Sequence, residues 1–348
     1  MTNYILNKDY ENWQPYVDFR SAIDPNFCQA NFKFETIYFY DRFGIIENPP
    51  NSKILRPFVA IQNSKTFDEL CLARALEIDN ISKEQNKPIL VTWSGGLDST
   101  CVLSALMQTI TDKTRLKVLC TKESIAEYPF FFDNFIKNNY EVLETDWASF
   151  RTAINSLCLT NIIITGELAD QLFDVVAQSK YGTANMFIST TPENIQYNLF
   201  RESRKGPWQV VLNPENKTHW DMVEYFVEKF PKKINNLRDF LYAFRLNYRY
   251  QLIQTRMLML TDNLKMDINL FHFFDTNEFN NFSIDTDFEI FDDGDIVKTK
   301  KYIREFICKY THDFEYYNTK KKSPSLGSPE YPMISNYTKL DDEWNRYV

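Results

Sequence analysis

The stretch Pro88-Ile89-Leu90-Val91-Thr92-Trp93-Ser94-Gly95-Gly96-Leu97-Asp98-Ser99-Thr100 constrains this chain more than any other. The continuous apolar run after Pro88, Ile89 to Trp93, predicts a strand buried on both faces. The segment from Leu97 to Thr109 predicts a helix, so a glycine pair links a buried strand to a helix N-terminus. Glycines let backbone N–H groups approach an anion closely, and the helix start aims unpaired amides and a dipole at the same point. Ser94, Ser99 and Thr100 add hydroxyl donors. The pattern is neither G-x-x-x-x-G-K nor G-x-G-x-x-G, which implies a different phosphate chemistry.

Short apolar runs recur at Leu116 to Cys120, Tyr140 to Leu143 and Asn161 to Thr165, separated by helix-length segments such as Leu97 to Thr109 and Pro129 to Asn138. A further helix is expected before them, over Phe67 to Asn80. Alternating strands and helices predict an α/β fold built on a doubly wound parallel sheet. Past Asn213-Pro214, Leu237, Phe240, Leu241, Phe244, Tyr248 and Leu252 recur at helical spacing, as do residues in Trp220 to Phe230, so a mainly helical C-terminal region follows. The expected organisation is a small aromatic-rich module over residues 1–62, an α/β domain over 63–215, a helical part over 216–327 and a tail over 328–348.

At 348 residues, with 44% hydrophobic and 25% charged residues, the chain can bury more than one core and is not a disordered class. A net charge of −8 argues against general nucleic-acid binding. Six cysteines without a C-x-x-C spacing and three separated histidines suggest buried free thiols rather than a zinc site or a disulfide ladder. The start lacks a signal-peptide pattern and no window approaches a bilayer span, so a cytoplasmic location with no membrane partner is expected.

Ser94-Gly95-Gly96-Leu97-Asp98-Ser99 resembles the S-G-G-x-D-S PP-loop of the N-type ATP pyrophosphatases, which split ATP to AMP and pyrophosphate. Three later segments resemble the synthetase domain of the asparagine synthetase family. Thr165-Gly166-Glu167-Leu168-Ala169-Asp170-Gln171-Leu172-Phe173 is similar to G-E-G-x-D-E-L-F. Asp262-Asn263-Leu264-Lys265-Met266, then Phe273-Phe274-Asp275 and Phe279, is similar to D-R-x-S-M and P-F-L-D-x-x-F. Lys301-Tyr302-Ile303-Arg304-Glu305, followed by Lys320-Lys321-Lys322, is similar to the late K-x-x-L-R-x-A helix and basic loop. The segments follow family order over roughly residues 65 to 327.

The resemblance implies an adenine nucleotide alpha hydrolase-like (PP-loop) sheet, and a ligase that adenylates a carboxylate and forms an amide with an amine or ammonia. Its cofactors are ATP and Mg²⁺. It assigns Asp98 and Asp170 as Mg²⁺ ligands and Glu167 as the base for the attacking amine. One lysine of Lys320 to Lys322, with Lys321 as the choice, reaches the pyrophosphate or the developing charge. Ser94, Gly95, Gly96, Leu97, Asp98 and Ser99 line the nucleotide, with backbone groups around Val91 and Cys120 reading adenine and Gly166 beside the adenylate. Trp93 reads either as a ring-stacking residue or as a buried strand aromatic, and Lys301 and Arg304 read as partners in helix surface pairs.

The departures point to a distinct substrate. Leu168 replaces a glycine, Gln171 a glutamate, Asn263 an arginine and His272 a proline. Thr2 stands where the family's catalytic N-terminal cysteine would be, and roughly 60 leading residues are too few for a glutaminase domain. The amine is therefore expected from solution, from the substrate or from a separate glutaminase. The carboxylate belongs to a small molecule, a modified base or a peptide. Two alternatives stand beside this reading: a PP-loop nucleoside, tRNA or DNA-base modifier, and a subunit that binds ATP or AMP without turnover.

Overall fold

The computed structural model describes residues 42–45, 56–62, 64–173, 225–234, 239, 242–243, 246–247, 250, 269–286 and 300–320. These fall into two compact units. One comprises Ile61–Phe173 with the described residues 269–283 and 300–320, and it carries the sheet and the candidate site.

Five strands, β1 (Ile89–Thr92), β2 (Leu116–Cys120), β3 (Glu141–Glu144), β4 (Ile162–Thr165) and β5 (Leu270–His272), form a sheet of order β3-β2-β1-β4-β5. Every pairing is parallel. Ile162, Ile163 and Ile164 are fully buried, as are Ile89, Leu90 and Val91, so the central strands are covered on both faces. Burying each such side chain stabilises the fold by about 1.5–3 kcal/mol, which is why continuous apolar runs become central parallel strands.

Helices among the described residues include α1 (Phe67–Glu84), α2 (Leu97–Thr109), α3 (Lys122–Glu127), α4 (Trp147–Leu157), α5 (Ala169–Leu172), α6 (Asn277–Asp285), α7 (Lys301–Thr311) and α8 (Phe314–Thr319). The described residues 277–286 and 300–319 are thus mainly helical. Ile154 and Cys158, at the end of α4, pack with Leu90, Leu119 and Ile163 on one face of the sheet. The helix α2 packs against α1, α7 and β1, and Leu97 and every residue from Ser99 to Leu106 are buried. Thr66 starts α1 with a capping box to Glu69, and Asp146 and Asp313 cap α4 and α8. The ring of Phe67 meets Phe173, Phe279, Phe282, Tyr302 and Phe306, gathering α1, α6, α7 and the end of α5 on one aromatic cluster.

Two local expectations change. The segment Pro129 to Asn138 is a single turn, Pro129–Phe131, running into a π-turn, Phe132–Ile136. The widened turn brings both Phe131 and Phe132 alongside Trp93, where ring stacking replaces regular helix. The strand β5 was not foreseen and adds the sheet's fifth member. The stripe from Leu237 to Leu252 and the segment Asp262 to Met266 lie largely or wholly outside the described residues, as do most of residues 1–62 and all of 328–348.

The second unit holds residues 42–45, 56–60, the described part of 225–250, and 284–286. There Arg42 is buried, donates to the carbonyls of Arg56 and Leu246, and lies 3.7 Å from the centre of the Tyr250 ring. None of the described helices is long and apolar enough to cross a membrane.

Candidate functional site

The strand order reverses at β1, which has β2 on one side and β4 on the other. In an open parallel sheet the loops leaving the carboxyl ends of such strands diverge and leave a crevice. The two loops at this point are Trp93–Gly96 after β1 and Gly166–Leu168 after β4, the two segments that the sequence singled out.

Gly95 has φ +76°, and a Cβ there would lie 2.3 Å from the Ser124 carbonyl oxygen. Only glycine meets both demands. Behind it the hydroxyls tie the loop to its helix. Ser99 Oγ accepts from the Ser94 N–H at 3.1 Å and donates to the Gly96 carbonyl at 3.3 Å, while the Gly96 N–H donates to Ser94 Oγ at 3.3 Å. The N-cap of α2 is Gly96, whose missing side chain leaves the first amides of the helix without a side-chain cap. Trp93 is buried, its indole N–H donates to Thr100 Oγ1 at 3.1 Å, and it acts as a strand aromatic of the core.

Gly166 answers a different constraint. A Cβ on it would lie 2.9 Å from both Asp98 C and Ser99 N, so the loop after β4 rests on the backbone that begins α2. Leu168 then takes φ +77°, a left-handed conformation that disfavours a branched side chain, and its side chain is buried. Its carbonyl accepts from the N–H groups of Gln171 and Leu172, which starts α5 and presents Asp170. Glu167 is half-buried, and its N–H donates to Thr165 Oγ1 at 3.3 Å. Thr165 Oγ1 also lies 2.6 Å from Nδ1 of the buried His272, at the end of β5. Whichever of the two donates, the contact with His272 fixes the hydroxyl that holds the Glu167 backbone.

Asp98 and Asp170 come together on a residue the sequence reading passed over. Lys300 Nζ forms an ion pair with Asp98 Oδ1 and another, at 2.7 Å, with Asp170 Oδ1. The lysine side chain is 3% exposed, whereas the two aspartates keep 26% and 28%, so the ammonium lies on the protein side of the carboxylates. Burial alone would push the Lys300 ammonium down, but Asp170 and Asp98 outweigh it and hold it above its ordinary value. Lys300 itself has φ +55° just ahead of α7. Counting back from Arg304 in K-x-x-L-R lands on Lys300 rather than Lys301, which was the one available sequence signal.

The C-terminal lysines are only partly visible: Lys321, the expected charge partner of the phosphates, lies outside the described residues, as does Lys322. Lys320 Nζ pairs with Glu127 Oε1 at 2.6 Å, and Glu127 Cβ lies 2.8 Å from where a Gly95 Cβ would be, so Lys320 stands beside the glycine loop. Arg304 corrects the expectation of a surface pair. It is buried and its guanidinium donates to the carbonyls of Lys320 at 2.6 Å and Tyr317 at 3.4 Å, anchoring the end of α8. Lys301 is exposed. Tyr128 stacks on Tyr316 at 3.7 Å and donates to Asp313 Oδ2 at 3.0 Å, which fastens α8 beside α3.

Val91 and Cys120 are buried in the ladder, and the Cys120 carbonyl accepts from the Thr145 N–H at 3.0 Å. Leu97 is buried at the start of α2. Among the described residues no group of three or more histidine, cysteine, aspartate or glutamate side chains converges on a metal-sized site, and Asp98 and Asp170 are two carboxylates that share one partner, Lys300. No protein-family model matches this chain, and no curated protein is significantly similar to it in sequence.

Proposed function

We propose that this chain is an ATP-dependent carbon–nitrogen ligase of the asparagine synthetase-like type, with a doubly wound PP-loop domain, that adenylates a carboxylate in the cytoplasm and passes the acyl group to an amine. What supports the reading is one observation: two loops with the expected motifs meet at the strand-order reversal, and their aspartates converge on the Lys300 ammonium. The donor set fits Mg²⁺, a hard ion commonly held by one or two carboxylates while phosphates complete its shell. When bound with ATP, that ion supplies positive charge to the leaving phosphates.

The chain's own residues do the rest. The amides opening α2 and the hydroxyls of Ser94 and Ser99 hold phosphate oxygens, and Gly166 keeps the second loop close enough to share them. A carboxylate oxygen of the substrate attacks the α-phosphorus, the bond to pyrophosphate breaks, and an acyl-adenylate forms. The amine nitrogen then attacks the acyl carbon, the bond to AMP breaks, and the amine's proton passes to Glu167. Lys320, already beside the glycine loop, adds positive charge to the pyrophosphate side, with Lys321 the next residue along. The carboxylate is that of a small molecule or modified base, and the amine comes from solution or a separate glutaminase.

Exchange of labelled pyrophosphate into ATP tests the two half-reactions apart, using a mixture of amino acids and small carboxylates. Glu167→Gln is expected to keep exchange while amide formation falls by about 10²–10⁴-fold. Loss of exchange in Glu167→Gln as complete as in Asp98→Asn would remove Glu167 from the role of amine base. A nucleotide-binding subunit without turnover is the second reading, favoured by buried Leu168 in a strained conformation where the family has glycine. ATP binding without exchange in any mixture would select it.

A further inference from the structure

We propose that Lys300 is a resident counter-ion of the phosphate site, offsetting part of the charge of its acidic pair so that a divalent cation is admitted only together with nucleotide phosphates. This rests on the ATP reading and extends it to the order in which the site assembles.

Asp98 and Asp170 reach the site from different loops, after β1 and β4. Two carboxylates drawn this close repel each other, and together they would attract a divalent ion from solution without help. The Lys300 ammonium between them removes both tendencies. It sits on the inner side of the pair, so the more exposed carboxylate edges face the solution from which metal and phosphate arrive.

The lysine is a fixed charge rather than a swinging arm. Its carbonyl accepts the Arg304 N–H at 3.0 Å in the first turn of α7, and Ile303, Arg304, Phe306 and Ile307 bury that helix. The ammonium side chain is 3% exposed, so its withdrawal would break both ion pairs and open a buried position. Its left-handed backbone is a conformation few lysines adopt, and the double ion pair offsets that strain. A divalent ion arriving alone meets carboxylates already paired with a buried cation. Arriving with ATP, it brings phosphate oxygens that complete its shell and face the ammonium favourably.

Mn²⁺ titration followed by electron paramagnetic resonance of the free ion tests this, using full-length wild type, Lys300→Met, Lys300→Arg and Lys300→Met/Asp170→Asn. Each is measured with and without the α,β-methylene analogue of ATP. Without nucleotide, Lys300→Met is expected to bind one Mn²⁺ at least about tenfold more tightly than wild type. Lys300→Arg should stay at the wild-type level and the double variant should lose the gain. Thermal melting gives a second readout: Lys300→Met should melt below wild type in chelator and recover with Mn²⁺, while wild type does not respond to Mn²⁺ alone. Tight nucleotide-free binding of Mn²⁺ by wild type overturns the proposal even if the methionine variant fails to fold. So does a folded Lys300→Met that gains no affinity. If the Mn²⁺ pattern is as expected but the analogue binds to no variant, the counter-ion role stands and the ATP reading falls. If the analogue brings Mn²⁺ into wild type and Lys300→Met gains nothing without it, the ATP reading stands and the counter-ion role falls.

Discussion

Gly166→Ala isolates the contact that brings the two loops together. The backbone at Gly166 is not in the left-handed region, so alanine meets no conformational strain there. The added methyl would lie 2.9 Å from two backbone atoms of Asp98 and Ser99 and 3.1 Å from Asp98 Cβ. No flexible side-chain end is among these neighbours, so the loops must part by about 0.5 Å to reach ordinary contact at 3.4 Å. Overpacking of this kind costs about 1–3 kcal/mol. The same movement separates Glu167 and Asp170 from Asp98, and since a 1 Å displacement can cost about 10²-fold in rate, a loss of about tenfold in kcat is expected. Gly44→Ala supplies the converse control: φ is +69° and nothing lies within 4 Å of its Cβ, so the cost is conformational only, about 1 kcal/mol. Urea denaturation gives both stabilities, and release of AMP from ATP gives the rate. Wild-type stability and rate in Gly166→Ala would refute the close approach of the loops, and with it the geometry that unites the two aspartates.

Two further outcomes are expected. Leu168→Gly relieves a left-handed residue, worth about 1 kcal/mol, but removes a buried leucine, worth about 2–5 kcal/mol, so the variant should be less stable in urea; a more stable variant would show that strain outweighs packing. Stability against alkali follows from groups that burial raises, Cys120 from 9.0 to about 11 and Tyr140 from 10.0 to about 12. Their folded forms keep protons that the unfolded chain has lost, so stability is fully present below about pH 9 and falls as pH rises through 9–12. Stability that rises over that window in chemical denaturation would contradict the sign.

Legibility in the sequence followed burial and distance along the chain. The strands β1, β2 and β4 were readable because central parallel strands are apolar on both faces, and β2 matched its expected range of Leu116 to Cys120. The strand β5 was not, since three residues ending in His272 show no period and owe their conformation to distant partners, the pairing with β4 and the Arg74 guanidinium that donates to the His272 carbonyl at 3.4 Å. The glycine loop was legible because its anion-binding parts are local. The cation between Asp98 and Asp170 left one trace only, the K-x-x-L-R spacing back from Arg304, because Lys300 is 202 residues from Asp98 and stands in sequence beside a surface lysine, Lys301. Lys320 and Glu127, 193 residues apart, were hidden in the same way. The π-turn after Phe131 was invisible for another reason: the stacking of Phe131 and Phe132 on Trp93 sets it, and helical periodicity carries no trace of that contact.

The most direct test of the central claim is which bond of ATP the protein breaks. Wild type incubated with ATP, Mg²⁺, ammonia and a mixture of amino acids and small carboxylates should release AMP and pyrophosphate, dependent on one component of the mixture. Asp98→Asn should lower that release by at least about 10²-fold. Release of ADP and phosphate instead, or AMP formation that is indifferent to Asp98, would contradict the account.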